Sequence, residues 1–272
     1  MMGVTGSGKT TFTNLITNAR LKVGHGLGSC TTEIQLAGLK LDGKDVVLID
    51  TPGFDDTDRS QGDVLNQIAT FLKQTYEDGR RLSGVIYLHR ISDIRMGGSA
   101  IESFRLFKEI CGDEAMTNVI VATTMWQHVD NVNAVEKEAE LSDKYFNEAI
   151  SRGARMLRHD NTESSAKAIL RDLLRHDEEP KALLMQKEMT NERKQIPDTQ
   201  AGKHLLDALD NLFRSLQKKL SSQDGEDQET RRKIDNIEDK RRRFHMAIAV
   251  DILTRLISSA QMVNNWIPCT YH

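Results

Sequence analysis

The stretch that decides the fold is GVTGSGKT, at residues 3–10 of the chain. It has glycine, lysine and threonine at every fixed position of the pattern G-x-x-x-x-G-K-[ST]. The glycines allow backbone conformations that turn several N–H groups toward one phosphate, the lysine adds a positive charge, and the threonine hydroxyl can bind Mg²⁺. A helix predicted over 9–19 would direct its positive end to the same place. The stretch therefore predicts a phosphate-binding loop, with nucleotide contacts from Gly3, Thr5, Gly6, Ser7, Gly8, Lys9, Thr10 and Thr11.

A second motif, VVLIDTPG at residues 46–53, follows at a distance suited to the same site. This apolar run ends in Asp50, so a strand would bring a carboxylate beside the loop, where it can hold Mg²⁺ through water. Gly53 offers a backbone N–H that can sense a γ-phosphate. Asp-Thr-Pro-Gly after a complete phosphate loop favours a GTPase-type domain over P-loop kinases and transport ATPases.

A threonine pair lies between these motifs, in CTTE at residues 30–33. A threonine here can complete the Mg²⁺ shell and move when the γ-phosphate leaves. We favour Thr31, with Thr32 as second choice and an ordinary strand threonine as the alternative. The predicted metal ligands are Thr10, Thr31 and Asp50, and the residues expected to support turnover are Lys9, Thr31 and Gly53.

The first 177 residues alternate between apolar runs and amphipathic stretches. A hairpin is predicted from strands 34–41 and 44–50, which an Asp-Gly turn joins and which would add an antiparallel strand at the sheet edge. Continuous apolar runs at 84–90 and 118–124, and a weaker one at 154–158, are typical of parallel strands. Helices are predicted at 9–19, 63–76, 99–110, 134–151 and 162–174. This order predicts an α/β domain with a mostly parallel sheet flanked by helices and a ligand site at the carboxyl ends of its strands.

Residues 178–272 follow a different pattern and are predicted to form a helical extension. Leu205, Leu209, Leu212, Leu216 and Leu220 make one apolar helix stripe, and a highly charged helix follows the polar break at 221–227. Three arrangements remain open: a helical hairpin folded back on the domain, a short intermolecular coiled coil, or a basic face for nucleic acid or membrane. The segment 246–267 predicts an amphipathic helix that either packs on its own domain or binds a membrane surface or a protein partner.

Composition and charge narrow the functional classes. The formal net charge of -3 argues against a nucleic-acid-binding protein, which needs a basic excess to neutralise phosphates. The cysteines, Cys30, Cys111 and Cys269, are far apart, which argues against a disulfide framework or a zinc site and is typical of a reducing interior. No apolar run reaches the roughly 20 residues that cross a bilayer. We therefore expect a cytoplasmic protein.

Several motifs together resemble one family: GVTGSGKT, SCTTE, DTPGF, GVIYLHR continued by ISDIRMGGS, and NVIVATTMW. They resemble the GIMAP/septin/Toc group of GTPases and, within it, the AIG-like GTPases common in fungi. The resemblance covers roughly residues 1–175. It implies a Ras-like P-loop fold, binding of GTP and GDP with Mg²⁺, slow intrinsic hydrolysis, and a homodimer or oligomer formed across the nucleotide face.

The chain departs from this pattern before the loop and at the base site. The strand that should precede the loop is almost absent, so the flanks of its neighbours are expected to be exposed; either the gene model is truncated, which we favour, or the protein is a compromised binder. Gln127 stands where the family pattern has a base-pairing aspartate, and an amide lacks the charge-assisted strength of a carboxylate. Trp126 either shields the base or packs, and His159 either stacks on the base or, as we favour, is a surface turn residue. The expected base contacts are Thr124, Gln127 and Asn161.

A third departure concerns hydrolysis. Phe54 stands where Ras-type enzymes have a glutamine that positions the attacking water, so turnover needs a group from elsewhere. The candidates are His25 within a dimer, or Arg59 or Arg95 as an arginine finger in trans.

The favoured interpretation is a GTP–Mg²⁺ switch with slow hydrolysis that self-association enhances. The alternative is a non-hydrolysing, nucleotide-bound scaffold whose C-terminal helices bind a protein partner. A third interpretation is an ATPase or kinase that shares only the loop.

Overall fold

The structure, a computed structural model, describes residues 1–21, 31, 33–55, 59–175, 180–222 and 228–245. His25, Cys30, Thr32 and Cys269, and the predicted helix at 246–267, lie outside the described residues. The elements in chain order are β1 (Met2–Gly3), α1 (Lys9–Thr17), β2 (Gln35–Leu41), β3 (Lys44–Asp50), α2 (Gln61–Glu77), β4 (Val85–Arg90), α3 (Gly98–Cys111), β5 (Val119–Thr124), α4 (Asn131–Glu140), α5 (Asn147–Ser151), β6 (Arg155–Arg158), α6 (Glu163–Arg175), α7 (Leu184–Thr190) and α8 (Gln200–Ser222). A further helix, α9, covers 228–245.

Parallel strands form the centre of the fold. The sheet has the order β1-β4-β5-β6, and each neighbouring pair is parallel. Every residue of β5 is buried, because helices cover the sheet on both faces. One core contains residues of α2 and α3, and a second core contains residues of α1 and α6. The prediction of a mostly parallel sheet flanked by helices is confirmed.

The predicted hairpin is present, but it forms a two-stranded sheet of its own. Its turn has a positive φ at both Asp42 (51°) and Gly43 (82°), as a two-residue hairpin turn requires. The prediction that the hairpin extends the main sheet is wrong, because no ladder joins β1 to β3 in the described residues. Two hydrogen bonds join them instead: the Met1 ammonium donates to the Ile49 carbonyl at 2.7 Å, and the Thr51 hydroxyl donates to the Met1 carbonyl at 2.8 Å.

The position of the strand before the loop is filled by Met2 and Gly3, which pair with Tyr87 and Leu88 of β4. The first residues of β4, Val85 and Ile86, lie beyond this pairing. Their side chains are nevertheless buried, so the exposure predicted beside a missing strand is not found at these side chains.

The long helix predicted over 134–151 is broken in the structure. After α4 the chain makes one π-helical turn over Leu141–Tyr145, in which the Phe146 N–H donates to the Leu141 carbonyl at 2.8 Å. The wider turn places the Phe146 ring in the core, 4.6 Å from the ring centre of Phe104 and 5.5 Å from that of His89. Burial of this ring therefore accompanies the break.

The C-terminal helices pack on the nucleotide-binding domain. Leu183, Met185, Met189 and Leu205 share a core with residues of α2 and α3, so residues on both sides of the predicted boundary at 177 belong to one core. Helix α7 was not predicted from the sequence. None of the helices in the described ranges is long and apolar enough to cross a membrane.

Helices α8 and α9 contact each other, and α9 reaches α2. The Arg241 guanidinium of α9 lies 2.9 Å from an Asp210 carboxylate oxygen of α8. Phe244, near the end of α9, is only 2% exposed, and a Cβ added to Gly62 in the first turn of α2 would lie 2.8 Å from its ring. Within the described residues, α8 and α9 therefore fold back on the domain, while the coiled coil and the basic face stay predictions.

Candidate functional site

The loop between β1 and α1 has the backbone that its glycines predict. Gly3 has a φ of 140° and Gly8, which directly precedes α1, has a φ of 94°. A Cβ added to Gly3 would lie 2.4 Å from the Leu88 carbonyl oxygen. The loop therefore passes directly against β4, and a larger residue at its start would push it away from the sheet.

Lys9 turns its side chain back into the loop and is 6% exposed. Its ammonium donates to the carbonyl oxygens of Gly3 at 3.0 Å and Val4 at 2.9 Å. The positive charge thus lies along the first half of the loop, where a phosphate oxygen can replace a carbonyl as acceptor. Of the other predicted contacts in the loop, Ser7 is buried, Gly6 is exposed, and Thr5 and Thr11 are half-buried.

The three predicted metal ligands come together at the start of α1. The Thr10 hydroxyl donates to one Asp50 carboxylate oxygen at 2.6 Å and lies 3.0 Å from the Thr31 hydroxyl oxygen. The second carboxylate oxygen of Asp50 is buried and has no hydrogen-bond partner among the described residues. Burial raises the pKa of Asp50, although the Thr10 hydroxyl acts in the opposite direction. Two hydroxyls and a buried carboxylate with an open acceptor form an oxygen set of the kind that Mg²⁺ takes, so the residues present fit the ion.

The segment after Asp50 lies directly on the loop. A Cβ added to Gly53 would be 2.5 Å from the Thr5 nitrogen, so only glycine allows this approach. The Thr5 N–H donates to the carboxylate of Asp55. Phe54, between Gly53 and Asp55 in sequence, is fully buried in the core that contains residues of α2 and α3. Its ring therefore does not face the loop. The contact of Asp55 was not predicted, although the acidic pair that follows DTPGF was a visible signal.

The residues predicted to contact the base have different environments. The Thr124 hydroxyl donates to the Ser7 carbonyl at 3.0 Å and so ties the end of β5 to the loop. Gln127 is exposed, and Asn161 is exposed with a φ of 64°. The indole N–H of Trp126 donates to the Thr123 carbonyl at 3.0 Å. Thr124 is therefore a positioning residue of the loop in this structure, and Gln127 and Asn161 are accessible to a ligand.

Neither interpretation of His159 describes its place in the structure. Its side chain is 3% exposed and lies edge-on to Phe12 of α1, with 4.9 Å between the ring centres. The His159 N–H donates to the Thr123 carbonyl at 2.8 Å, which continues the pairing of β6 with β5 by one residue. That extension directs the ring into the core, where burial lowers its pKa. The preferred prediction of a surface turn residue is wrong.

The candidate arginines lie at different depths. Arg95 is exposed in the segment between β4 and α3, and Arg59 is half-buried before α2. Arg90, which was not predicted, forms an ion pair with Asp93 at 3.0 Å, and its guanidinium lies 3.1 Å from where a Cβ on Gly6 would stand. Arg90 and Arg95 both line a cavity of about 320 Å³ at the carboxyl end of β4. The carboxylates of Asp93 and Glu140 line the same cavity, so its charges are mixed.

Comparison with known proteins agrees with this fold. Residues 1–99 match the model of a family described as 50S ribosome-binding GTPase. Toc33 from Arabidopsis thaliana in complex with GDP and Mg²⁺ is 14% identical, with a TM-score of 0.54 over 67% of this chain and 84% of that chain. A dimerization-deficient mutant of Toc33 is also 14% identical, with a TM-score of 0.53 over the same shares. No curated protein matches the chain in sequence.

A further structure concerns the importance of dimerization for the GTPase activity of the chloroplast translocon components atToc33 and psToc159. It is 12% identical, with a TM-score of 0.52 over 67% of this chain and 83% of that chain. Similarity at this level of identity establishes the fold alone, and the match of residues 1–99 to a GTPase family model agrees with that fold. The chain has the Ras-like fold of P-loop GTPases, with helices at its C-terminal end.

Proposed function

We propose that this protein binds GTP and GDP with Mg²⁺ and acts as a switch with slow GTP hydrolysis. The observation that carries the proposal is the meeting of Thr10, Thr31 and Asp50 beside the phosphate loop. The Thr10 hydroxyl oxygen lies 2.6 Å from an Asp50 carboxylate oxygen and 3.0 Å from the Thr31 hydroxyl oxygen. These residues come from three separate parts of the chain. Their convergence at a buried carboxylate has a direct use if a divalent ion and a phosphate tail are held there.

In the proposed site, the loop amides and Lys9 bind the phosphates, and Thr10, Thr31 and Asp50 hold Mg²⁺. When bound, the ion neutralises charge on the phosphate oxygens. Thr31 and the N–H of Gly53 belong to segments outside the loop, and both would contact the γ-phosphate side. Loss of the γ-phosphate releases both segments together, which is how a nucleotide sets two conformations.

Hydrolysis is proposed to be slow and to increase on self-association across the nucleotide face. Slow turnover is supported by the buried ring of Phe54, which leaves no side chain at that position to orient water. Enhancement by self-association is supported by the exposure of Arg95, which lines the same cavity as Arg90, and by the importance of dimerization for the GTPase activity of Toc proteins of the same fold. The alternative is a scaffold that binds nucleotide without hydrolysing it and binds a protein partner through its C-terminal helices.

The test measures affinity and turnover separately. Fluorescent GDP and a non-hydrolysable GTP analogue are titrated with excess Mg²⁺, with ATP as competitor. Both should bind, ATP should compete poorly, and Lys9→Ala should weaken both by about hundredfold or more, because it removes a charge that would lie against the phosphates. If the wild-type protein binds neither nucleotide, the proposal is wrong, and a preference for ATP would overturn the assignment of the base.

Turnover is then measured as phosphate release over a range of protein concentrations. We expect the rate per molecule to rise with concentration, and Arg95→Ala to abolish that rise. The control is Arg105→Ala, which removes an exposed arginine from α3 and should leave the dependence unchanged. Absence of hydrolysis at every concentration, with binding intact, would favour the scaffold.

A further inference from the structure

One hydrogen bond in the site joins two groups that the proposed chemistry would keep apart. The Thr5 N–H, an amide of the phosphate loop, donates to the carboxylate of Asp55. Amides of such a loop bind phosphate oxygens, and a carboxylate is the protein group that most resembles one in charge and acceptor geometry. Asp55 is half-buried and comes from the segment that follows Gly53.

The position of this contact along the loop indicates which phosphate it concerns. Gly53 packs against Thr5, because a Cβ on Gly53 would lie 2.3 Å from the Thr5 hydroxyl oxygen and 2.5 Å from its nitrogen. In the proposed function the Gly53 N–H faces the γ-phosphate, so the neighbouring Thr5 N–H faces the same group. The start of α1, which would hold the inner phosphates, lies at the other end of the loop. Asp55 therefore occupies an amide on the γ-phosphate side.

We propose that Asp55 is a specificity-determining residue, whose carboxylate occupies the Thr5 N–H until the γ-phosphate of a nucleoside triphosphate displaces it. This inference rests on the proposed function and concerns the same site. A diphosphate leaves the contact in place, because its charges lie nearer α1. A triphosphate brings a second anion to the one N–H donor, and like charges at that separation repel strongly in a partly buried site. Displacement of Asp55 makes triphosphate binding weaker than the loop alone would allow.

The proposal has a structural consequence for the switch. Asp55 lies two residues after Gly53, so a carboxylate that leaves Thr5 moves the segment that carries the Gly53 N–H. In the diphosphate form the contact between Thr5 and Asp55 holds this segment on the loop. The discrimination between the two nucleotides and the change of conformation therefore depend on the same hydrogen bond.

The test compares nucleotide affinities in charge variants. Fluorescent GDP and a fluorescent non-hydrolysable GTP analogue are titrated with excess Mg²⁺ into the full chain, its Asp55→Asn and Asp55→Ala variants, and the control Asp45→Asn. The control removes the same charge from an exposed position in β3. Asp55→Asn and Asp55→Ala should tighten binding of the GTP analogue by about tenfold, the size of one charge-assisted hydrogen bond. Binding of GDP should change less than about twofold, and the control should change neither affinity.

The outcomes separate this inference from the proposed function. If wild-type protein binds both nucleotides and both variants leave the ratio of affinities unchanged, or weaken the GTP analogue, the inference is wrong and the proposed function stands. If wild-type protein binds neither nucleotide, the proposed function fails first. A second measurement uses no variant: the backbone amide signal of Thr5, in protein labelled at threonine nitrogen, should persist on GDP addition and shift on addition of the GTP analogue. Equal shifts with both nucleotides would also overturn the inference.

Discussion

At the scale of single residues, Asp50 is the buried carboxylate of the proposed metal site. One of its carboxylate oxygens accepts a hydrogen bond from Thr10, and the other is buried without a partner among the described residues. Burial raises the pKa of this group, so the carboxylate is harder to ionise in the folded protein than in the unfolded chain. In the proposed function, a divalent ion would oppose this effect, because it would supply a positive charge beside the carboxylate.

We predict that Asp50→Asn has opposite effects on stability and binding. The nucleotide-free protein should gain on the order of 1 kcal/mol in unfolding free energy, since a buried charge with an unsatisfied oxygen is replaced by a neutral amide. The tightening of nucleotide binding by Mg²⁺ should be lost. Urea unfolding and titrations with and without Mg²⁺ measure the two effects. Asp45→Asn, at the exposed end of the same strand, is the matched control and should alter neither; a variant that keeps the Mg²⁺ effect would remove Asp50 from the metal site.

At the scale of elements, the sequence predicted those strands and turns that a short local pattern determines. The strands β4 and β5 are continuous apolar runs, and the hairpin has its Asp-Gly turn, so each was visible in one short window. Helix α7 was not predicted, because Gln186 and Glu188 look like surface residues yet are 0% and 1% exposed. Glu188 accepts a hydrogen bond from the Gln200 N–H at 3.1 Å and so caps α8. Its burial depends on a partner twelve residues away, which no local pattern shows.

The same distinction between local pattern and tertiary contact applies to the residues of the candidate site. The residues of GVTGSGKT and DTPG were predicted because their chemistry follows from residue type and spacing. The contacts of Asp55 and Arg90 with the loop were not, because each requires the chain to return to the loop from another segment. His159 was placed wrongly for the same reason, since the strand pairing that buries it is a tertiary contact.

The packing of α9 on α2 gives a prediction at this scale. Alanine is a better helix former than glycine by about 1 kcal/mol, but a Cβ at Gly62 would lie 2.8 Å from the Phe244 ring. Gly62→Ala should therefore destabilise the protein by about 1–2 kcal/mol through overpacking. In a Phe244→Ala background, where the ring is gone, the same change should stabilise the protein.

Urea unfolding of the wild-type protein, Gly62→Ala, Phe244→Ala and the double variant measures whether the effect of Gly62→Ala on the unfolding free energy changes sign. Gly98→Ala, at the first residue of α3, is the control, because a Cβ there meets nothing within 4 Å. It should have the same small effect in both backgrounds. Equal effects of Gly62→Ala in the two backgrounds would show that α9 does not pack on α2.

At the scale of the whole molecule, an ion pair joins the C-terminal helices to the nucleotide-binding domain. The Nε2 of His204 in α8 lies 2.7 Å from a Glu102 carboxylate oxygen in α3. Glu102 raises the pKa of His204, with Glu109 acting in the same direction and Arg105 against it. His204 in turn lowers the pKa of Glu102. Both helices contribute residues to the core that contains α2. The charge of His204 therefore affects how strongly α8 is held on the nucleotide-binding domain.

The sign of the resulting pH dependence follows from the two shifts. The folded pKa of His204 lies above its unfolded value of 6.5, so its contribution to stability is complete below about pH 6.5 and is lost as the pH rises through the folded pKa. The folded pKa of Glu102 lies below its usual value of 4.5, so its contribution is present above that pH and is lost in stronger acid. We predict that the pair stabilises the protein most between about pH 4.5 and 6.5, by about 0.5 kcal/mol as expected of a partly exposed pair.

Unfolding free energies at pH 6 and pH 8 test this prediction in the wild-type protein and in His204→Gln. In the variant, the difference in unfolding free energy between pH 6 and pH 8 should shrink by the part that the pair supplies. Glutamine can donate a hydrogen bond to Glu102, but it takes no proton. His128→Gln is the matched control, since this histidine lies exposed in the turn after β5, away from the contact between α3 and α8. It should retain the wild-type difference. If His204→Gln also retains the wild-type difference in unfolding free energy, the pair does not make the attachment of the C-terminal helices depend on pH. Apolar packing would then hold these helices on the domain.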